Sequence, residues 1–109
     1  MLDITGLPDG ALDAAGAFHR DWLPRAREAL AAGIDALVLL LPEAPYDHEG
    51  WRRAVVQDLA RTHAPQRVNL LAGGDAAARA AMIEWLAGAP GITGQMLALD
   101  GQGAGNPAG

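Results

Sequence analysis

The chain contains no cysteine and no lysine, and it has a single tyrosine, Tyr46, and a single phenylalanine, Phe18. Without thiols, disulfides and thiolate metal sites are excluded. That composition suits a reducing compartment, so a cytoplasmic location is expected. All eight basic residues are arginine, and the net charge is −5. An acidic chain with no basic stripe repels phosphate backbones, so no nucleic-acid partner is expected. Long hydrophobic runs are missing too. The longest, Ala36 to Pro42, is too short to cross a bilayer. Met1-Leu2-Asp3-Ile4 lacks the basic and then apolar pattern of a signal peptide. No membrane partner is expected. The three histidines, His19, His48 and His63, match no metal-binding helical spacing, so no metal is expected either.

What remains is an apolar, alanine-rich chain of 109 residues. That length predicts a single domain, over residues 1–100. The Gly/Ala/Asn/Pro segment 101–109 reads as a flexible tail. Met1 to Ile4 is β-type and is closed by Gly6 and Pro8-Asp9-Gly10. From Ala11 to Ala32, apolar residues recur every three or four positions as in a helix. Pro24 breaks that helix, which kinks or restarts near Asp21, and Gly33 ends it. Ile34 to Leu41 is a strand, and its run Ala36-Leu37-Val38-Leu39-Leu40-Leu41 fits burial on both faces. Asp47 is the expected cap of a helix carrying Trp51, Val55 and Leu59, stopped by Pro65. Arg67 to Ala72 is a second buried strand. Asp75 caps a helix marked by Ala78, Met82, Trp85 and Leu86, and Gln95 to Leu99 is a last strand. Strands alternating with helices predict parallel pairing through right-handed crossovers.

Three segments resemble the short-chain dehydrogenase/reductase family. Ile34-Asp35-Ala36-Leu37-Val38, followed by the helix from Trp51 to Leu59, is similar to that family's I-D-x-L-V strand and W-containing helix. Arg67-Val68-Asn69-Leu70-Leu71-Ala72-Gly73-Gly74 is similar to its R-V-N-x-I-x-P-G. Ile92-Thr93-Gly94-Gln95-Met96-Leu97-Ala98-Leu99-Asp100-Gly101 is similar to its last strand, T-G-Q-x-L-x-V-D-G-G. The resemblance covers about two thirds of the chain and implies a shortened, altered member. The expected fold is a small Rossmann-like α/β domain of three layers, with about four parallel strands and alternating helices.

The departures bear on activity. Thr5-Gly6-Leu7-Pro8-Asp9-Gly10-Ala11-Leu12 echoes the family's T-G-x-x-x-G-x-G loop. Yet it has Leu12 at the last glycine and Asp9 where a pyrophosphate would sit. The N-N-A-G segment reads Leu39-Leu40-Leu41-Pro42. Two alignments stay open. In one, the family's catalytic asparagine falls on Asp58, its proline in P-G falls on Gly73, and a strand and helix bearing Ser and Tyr-x-x-x-Lys are deleted. In the other, Trp51 to Ala64 is the catalytic helix, with Lys replaced by Arg52 and Tyr by His48. Arginine cannot relay protons. With no lysine and one tyrosine, no Tyr-Lys pair can be assembled from any part of the chain.

No catalytic residue is therefore assigned. Tyr46, His48, Arg52, Asp58 and Gly73 are the candidate ligand-binding positions, and Trp85, Ile92 and Met96 the candidate interface. Arg52 and Arg53 could hold a carboxylate or phosphate, but are expected to form a solvated face with one ion pair to Glu49. Asn69, in an apolar strand, is expected to bond nearby backbone. The resemblance implies three readings. The first is a non-catalytic interaction subunit, pairing with itself or with a full-length enzyme of the family. The second is a binder of a small molecule, NAD(P) or an acyl ligand, with a concave site near Leu41, Tyr46 and Gly73. The third is a remnant oxidoreductase, or an enzyme of other chemistry using Asp58 or the Asp47-His48-Glu49 cluster. No cofactor is required by the first reading, and NAD(P) belongs to the others.

Overall fold

A computed structural model describes residues 1–99. The expected tail at 101–109, with Asp100, lies outside the described residues. Four parallel strands form one sheet: β1 (Leu2–Asp3), β2 (Ala36–Leu41), β3 (Arg67–Gly73) and β4 (Met96–Leu99). They lie in sequential order, β1-β2-β3-β4. Leu39 pairs with Leu2 on one side and Leu70 on the other, and Leu71 pairs with Leu97.

The first connection comprises α1 (Ala11–Ala17), a π-helical turn at Phe18–Trp22 and α2 (Leu23–Ala31). Pro24 lies in the first turn of α2, where its missing N–H costs little. The break expected at Pro24 is thus absorbed by a π-turn, not by a kink. Gly33 then closes the helix in the left-handed region, with φ 97°. The second connection is a 3₁₀ turn (Tyr46–His48) leading into α3 (Glu49–His63). Asp47 does not cap α3, because the 3₁₀ turn moves the N-cap to His48, whose side chain makes no capping bond. The third connection, α4 (Ala76–Ala87), is capped as expected: Asp75 accepts from the Ala78 N–H at 2.8 Å.

Because side chains alternate across a strand, the sheet has two faces. Leu37, Leu39, Leu41, Val68 and Leu70 point to one, where they pack with Phe18, Ala26 and Leu30 of the first connection and Val55, Val56 and Leu59 of α3. Val38, Leu40, Leu71 and Leu99 point to the other and pack with Ala78 and Leu86 of α4. The result is the expected three layers, unequally filled. Along a sheet of sequential order, crossovers over opposite faces have opposite hands. The first two share a face and the third takes the other, so the expectation of uniformly right-handed crossovers fails once. Right-handedness is the steric default, so the two crossovers that share a face are expected to be the right-handed ones.

Polar side chains fix this last unit in place. Asn69 donates from Nδ2 to the Ile92 carbonyl and accepts at Oδ1 from the Gln95 N–H, both at 3.1 Å. Arg67 Nη1 donates to the carbonyls of Leu86 and Ala89. Arg79 donates to the carbonyls of Gly73 and Leu41, at 3.0 and 3.1 Å, and lies 3.6 Å from Asp3. One guanidinium thereby ties the carboxyl ends of β3 and β2 to β1.

Candidate functional site

In a parallel α/β sheet, the chain leaves each strand at its carboxyl end and enters a helix, so loops and helix N-termini gather at that edge. Here α3 packs chiefly on β3 and only partly on β4, where Ala98 stays exposed. A cleft of about 350 Å³ lies between them, lined by Glu43, Ala44, Pro45, His48, Glu49, Arg52, Ala72, Met96, Ala98 and Leu99. A smaller hollow of about 160 Å³ shares Pro45, His48 and Arg52 and reaches toward the β1–α1 loop at Asp9.

Arg52 is the unusual member. It sits in the first turns of α3, on the same stripe as Val55, Val56 and Leu59, and is only 4% exposed. Its Nη1 donates to the Pro42 carbonyl at 2.8 Å, while its Nε is buried with no partner. The guanidinium stands 5.6 Å from the Trp51 ring centre. The ion pairs among the described residues join Arg20 to Asp21, Arg53 to Glu49, Arg61 to Asp58 and Arg79 to Asp3, and none includes Arg52. Taking a cation out of water without a counter-charge costs several kcal/mol. Burial accordingly lowers the Arg52 pKa from its ordinary value.

His48, also 4% exposed, is fully engaged. The Trp51 Nε1–H donates to its Nδ1 at 3.2 Å, so the ring proton is on Nε2, which donates to the Asp9 carbonyl at 2.9 Å. Trp51 is steadied in turn by Phe18 of the π-turn, with ring centres 5.5 Å apart. His48 therefore shapes the cleft and pins the β1–α1 loop; it has no free nitrogen for acid–base work.

A family model described as a short chain dehydrogenase-like protein, SDR-like, matches residues 2–99. The chain belongs to this SDR-like family. No curated protein and no solved structure matches it.

Of the candidate positions, the SDR-like fold brings together His48 and Arg52 and sets the others apart. Tyr46 is 83% exposed and does not line the cleft. Asp58 faces solvent on the far side of α3, paired with Arg61. Asp47 and Glu49 are exposed, and Glu49 lies 3.8 Å from Arg53; the expected solvated face holds for Arg53 only, because Arg52 lies on the inward stripe of α3 and is buried. The side chains of Asp47, His48 and Glu49 therefore do not converge, and Asp58 lies apart from them, at a separate hollow with His19 and His63. Gly73 serves the backbone. Its φ is 81°, and a Cβ there would lie 2.5 Å from the Leu99 carbonyl oxygen.

The candidate interface also divides. Trp85 is 57% exposed on α4, and Ile92 packs against the smaller core. Met96 lies on the opposite face and lines the cleft. The three do not form one patch, because alternation along β4 turns Met96 away from α4.

The loop that echoes the family's glycine-rich turn leads into α1, a helix of seven residues with Gly10 as its uncapped N-cap and Asp13 in its first turn. Leu12 is exposed, and Leu39 and Leu41 are buried in the core. Asp9 and Asp13 place two carboxylates where a pyrophosphate would need donors. These residues do not fit a nicotinamide dinucleotide. Among the described residues no group of three His, Asp or Glu side chains comes together as a metal site, and no helix is long and apolar enough to cross a membrane.

Proposed function

We propose that this SDR-like chain is a non-reductase binder of a small anion, held at Arg52 in the cleft beside β4. The observation that carries this reading is the buried guanidinium of Arg52, which no ion pair among the described residues includes, lining two adjoining hollows. A charge in that setting is costly to the empty protein and is relieved by a ligand of opposite sign. The N-terminus of α3, fifteen residues long, opens on the same cleft and adds its positive dipole end. In the alignment that sets α3 against the family's catalytic helix, His48 and Arg52, one turn apart, stand where that helix carries Tyr and Lys. Neither replacement can donate and recover a proton in the way that pair does. Arginine holds its proton, and His48 has both nitrogens engaged.

Thermal unfolding tests this reading. Sodium formate is expected to raise the midpoint saturably, beyond chloride at equal ionic strength, because a ligand that binds only the folded state stabilises it by mass action. NADH and NADPH are expected to leave it unchanged. A shift with micromolar NADH, or no anion effect beyond chloride, overturns the reading.

A second reading, self-association as a non-catalytic subunit, is favoured by one observation. A groove of about 420 Å³ lies between α4 and β1, lined by Met1, Leu40, Ala80 and Ile83 with Asp3, Arg79 and Glu84 beside them, and α4 also carries the exposed Trp85. Sedimentation as a monomer at high micromolar concentration would remove it.

A further inference from the structure

Resting on the anion-binding reading of the Arg52 cleft, we infer that its ligand is a monocarboxylate carrying a short hydrocarbon chain. Three features of the cleft converge on that class.

The first is the shape of the cation. A guanidinium is a planar fork that meets a carboxylate through two parallel hydrogen bonds. In Arg52, Nη1 gives one hydrogen to Pro42 and Nε is enclosed, so a carboxylate would meet the Nη1/Nη2 end of the fork. The second is the charge around it. Glu43 and Glu49 also line the cleft, and Glu49 is only partly offset by Arg53 at 3.8 Å. Two carboxylates on the rim favour a ligand that brings to Arg52 no more than a single negative charge. A phosphate group, with a charge of about −1.5 to −2, is repelled more strongly.

The third is the wall. Apart from Arg52, His48 and the two glutamates, the lining consists of Ala44, Pro45, Ala72, Met96, Ala98 and Leu99. None of these side chains can donate or accept a conventional hydrogen bond, and His48 has no free nitrogen. The part of the ligand beyond its carboxylate therefore lies against hydrocarbon. Met96, unbranched and adaptable, forms the floor on β4. The volume, about 350 Å³, is at the small end of ligand sites, so the chain is short.

Calorimetric titration of the intact protein with acetate, butyrate, hexanoate and octanoate tests this, with inorganic phosphate and hexan-1-ol as comparators. Affinity is expected to rise about four-fold for each methylene buried and to level off once the cleft is full. Hexan-1-ol and phosphate are expected not to bind. Arg52→Met is expected to weaken hexanoate about ten-fold or more, and Arg52→Lys, which keeps charge but loses the fork, to weaken it as well. Met96→Glu is expected to abolish the gain with chain length, which holds the test open should either Arg52 variant fail to fold.

Tighter binding of phosphate than of hexanoate, dependent on Arg52, overturns the monocarboxylate assignment and leaves the anion-binding reading standing. Equal affinity for acetate and hexanoate does the same. Hexanoate binding that survives Arg52→Met places the ligand elsewhere and overturns the assignment. No binding by any anion overturns both.

Discussion

The indole N–H of Trp51 donates to Nδ1 of His48, one turn earlier in the same segment, at 3.2 Å. That single bond fixes the imidazole as the Nε2–H tautomer and aims the other nitrogen at the Asp9 carbonyl. A loop thirty-nine residues away in sequence is thereby tied to the start of α3.

His48→Ala leaves a half-buried donor on Trp51 and the carbonyl of the exposed Asp9 without their partner. Each unsatisfied group costs about 1–3 kcal/mol. A loss of about 2–4 kcal/mol of stability is expected in urea denaturation. Trp51→Phe keeps the ring against Phe18 and loses only the donor, so a smaller loss is expected.

Arg79 and Arg61 make a matched contrast. Arg79 serves two strand-end carbonyls from a largely buried position, and its replacement by Met is expected to cost about 2–4 kcal/mol. Arg61 pairs with Asp58 in the open, and Arg61→Ala is expected to change stability by no more than about 0.5 kcal/mol. Equal losses in the two variants would refute the staple assigned to Arg79.

Two glycine substitutions should move in opposite directions. Gly73→Ala forces a Cβ to within 2.5 Å of the Leu99 oxygen at a φ of 81° and is expected to cost about 3 kcal/mol or more. Gly16 lies within α1 with nothing within 4 Å of an added Cβ, so Gly16→Ala is expected to stabilise by about 0.5–1 kcal/mol. Denaturation midpoints of both variants check this.

Arg52 has a pH signature by default. Burial lowers its pKa in the folded state, so the unfolded chain holds that proton more tightly. Stability from this group then rises with pH only where arginine itself titrates, far above neutrality. From about pH 5 to pH 9 the penalty is constant, and Arg52→Met is expected to leave the shape of the stability–pH curve unchanged in that window. With no ligand present, Arg52→Met is expected to be at least as stable as the parent, within about 1 kcal/mol, because it removes a buried charge. A large loss would mean that the bond to Pro42 is the main role of Arg52.

The sheet was legible because its strands are short uninterrupted apolar runs between turn residues, as from Leu37 to Leu41 and from Val68 to Ala72. Asn69 was legible as a backbone-bonding amide because an amide in such a run needs a partner. The face taken by α4 was not. Its alanines at 76, 77, 78, 80 and 81 leave no sharp apolar stripe, so periodicity does not say which side it turns to the sheet. Part of the cleft was readable. Arg52 shares its helical stripe with Val55, Val56 and Leu59, at spacings of three, four and seven, and an arginine on that stripe marks a buried charge, a signal that the expectation of a solvated Arg52-Arg53 face overlooks. The contribution of Met96 to the cleft depends on which face of β4 stays uncovered, which follows from the hand of the last crossover and not from local pattern.

With α4 alone on its face, the protein has a thick half and a thin half joined through one sheet. Amides of β2 and β3, covered by the larger core, should exchange with solvent only through global unfolding, whereas those of α4 and β4 should open locally and exchange sooner. The Arg52 cleft lies on the seam, with its cation on α3 and its floor on β4. A ligand there would clamp the faster-opening half to the slower one, and its presence would be recorded as slowed exchange at Leu97 and Leu99, on a strand whose own helix lies on the opposite side of the sheet.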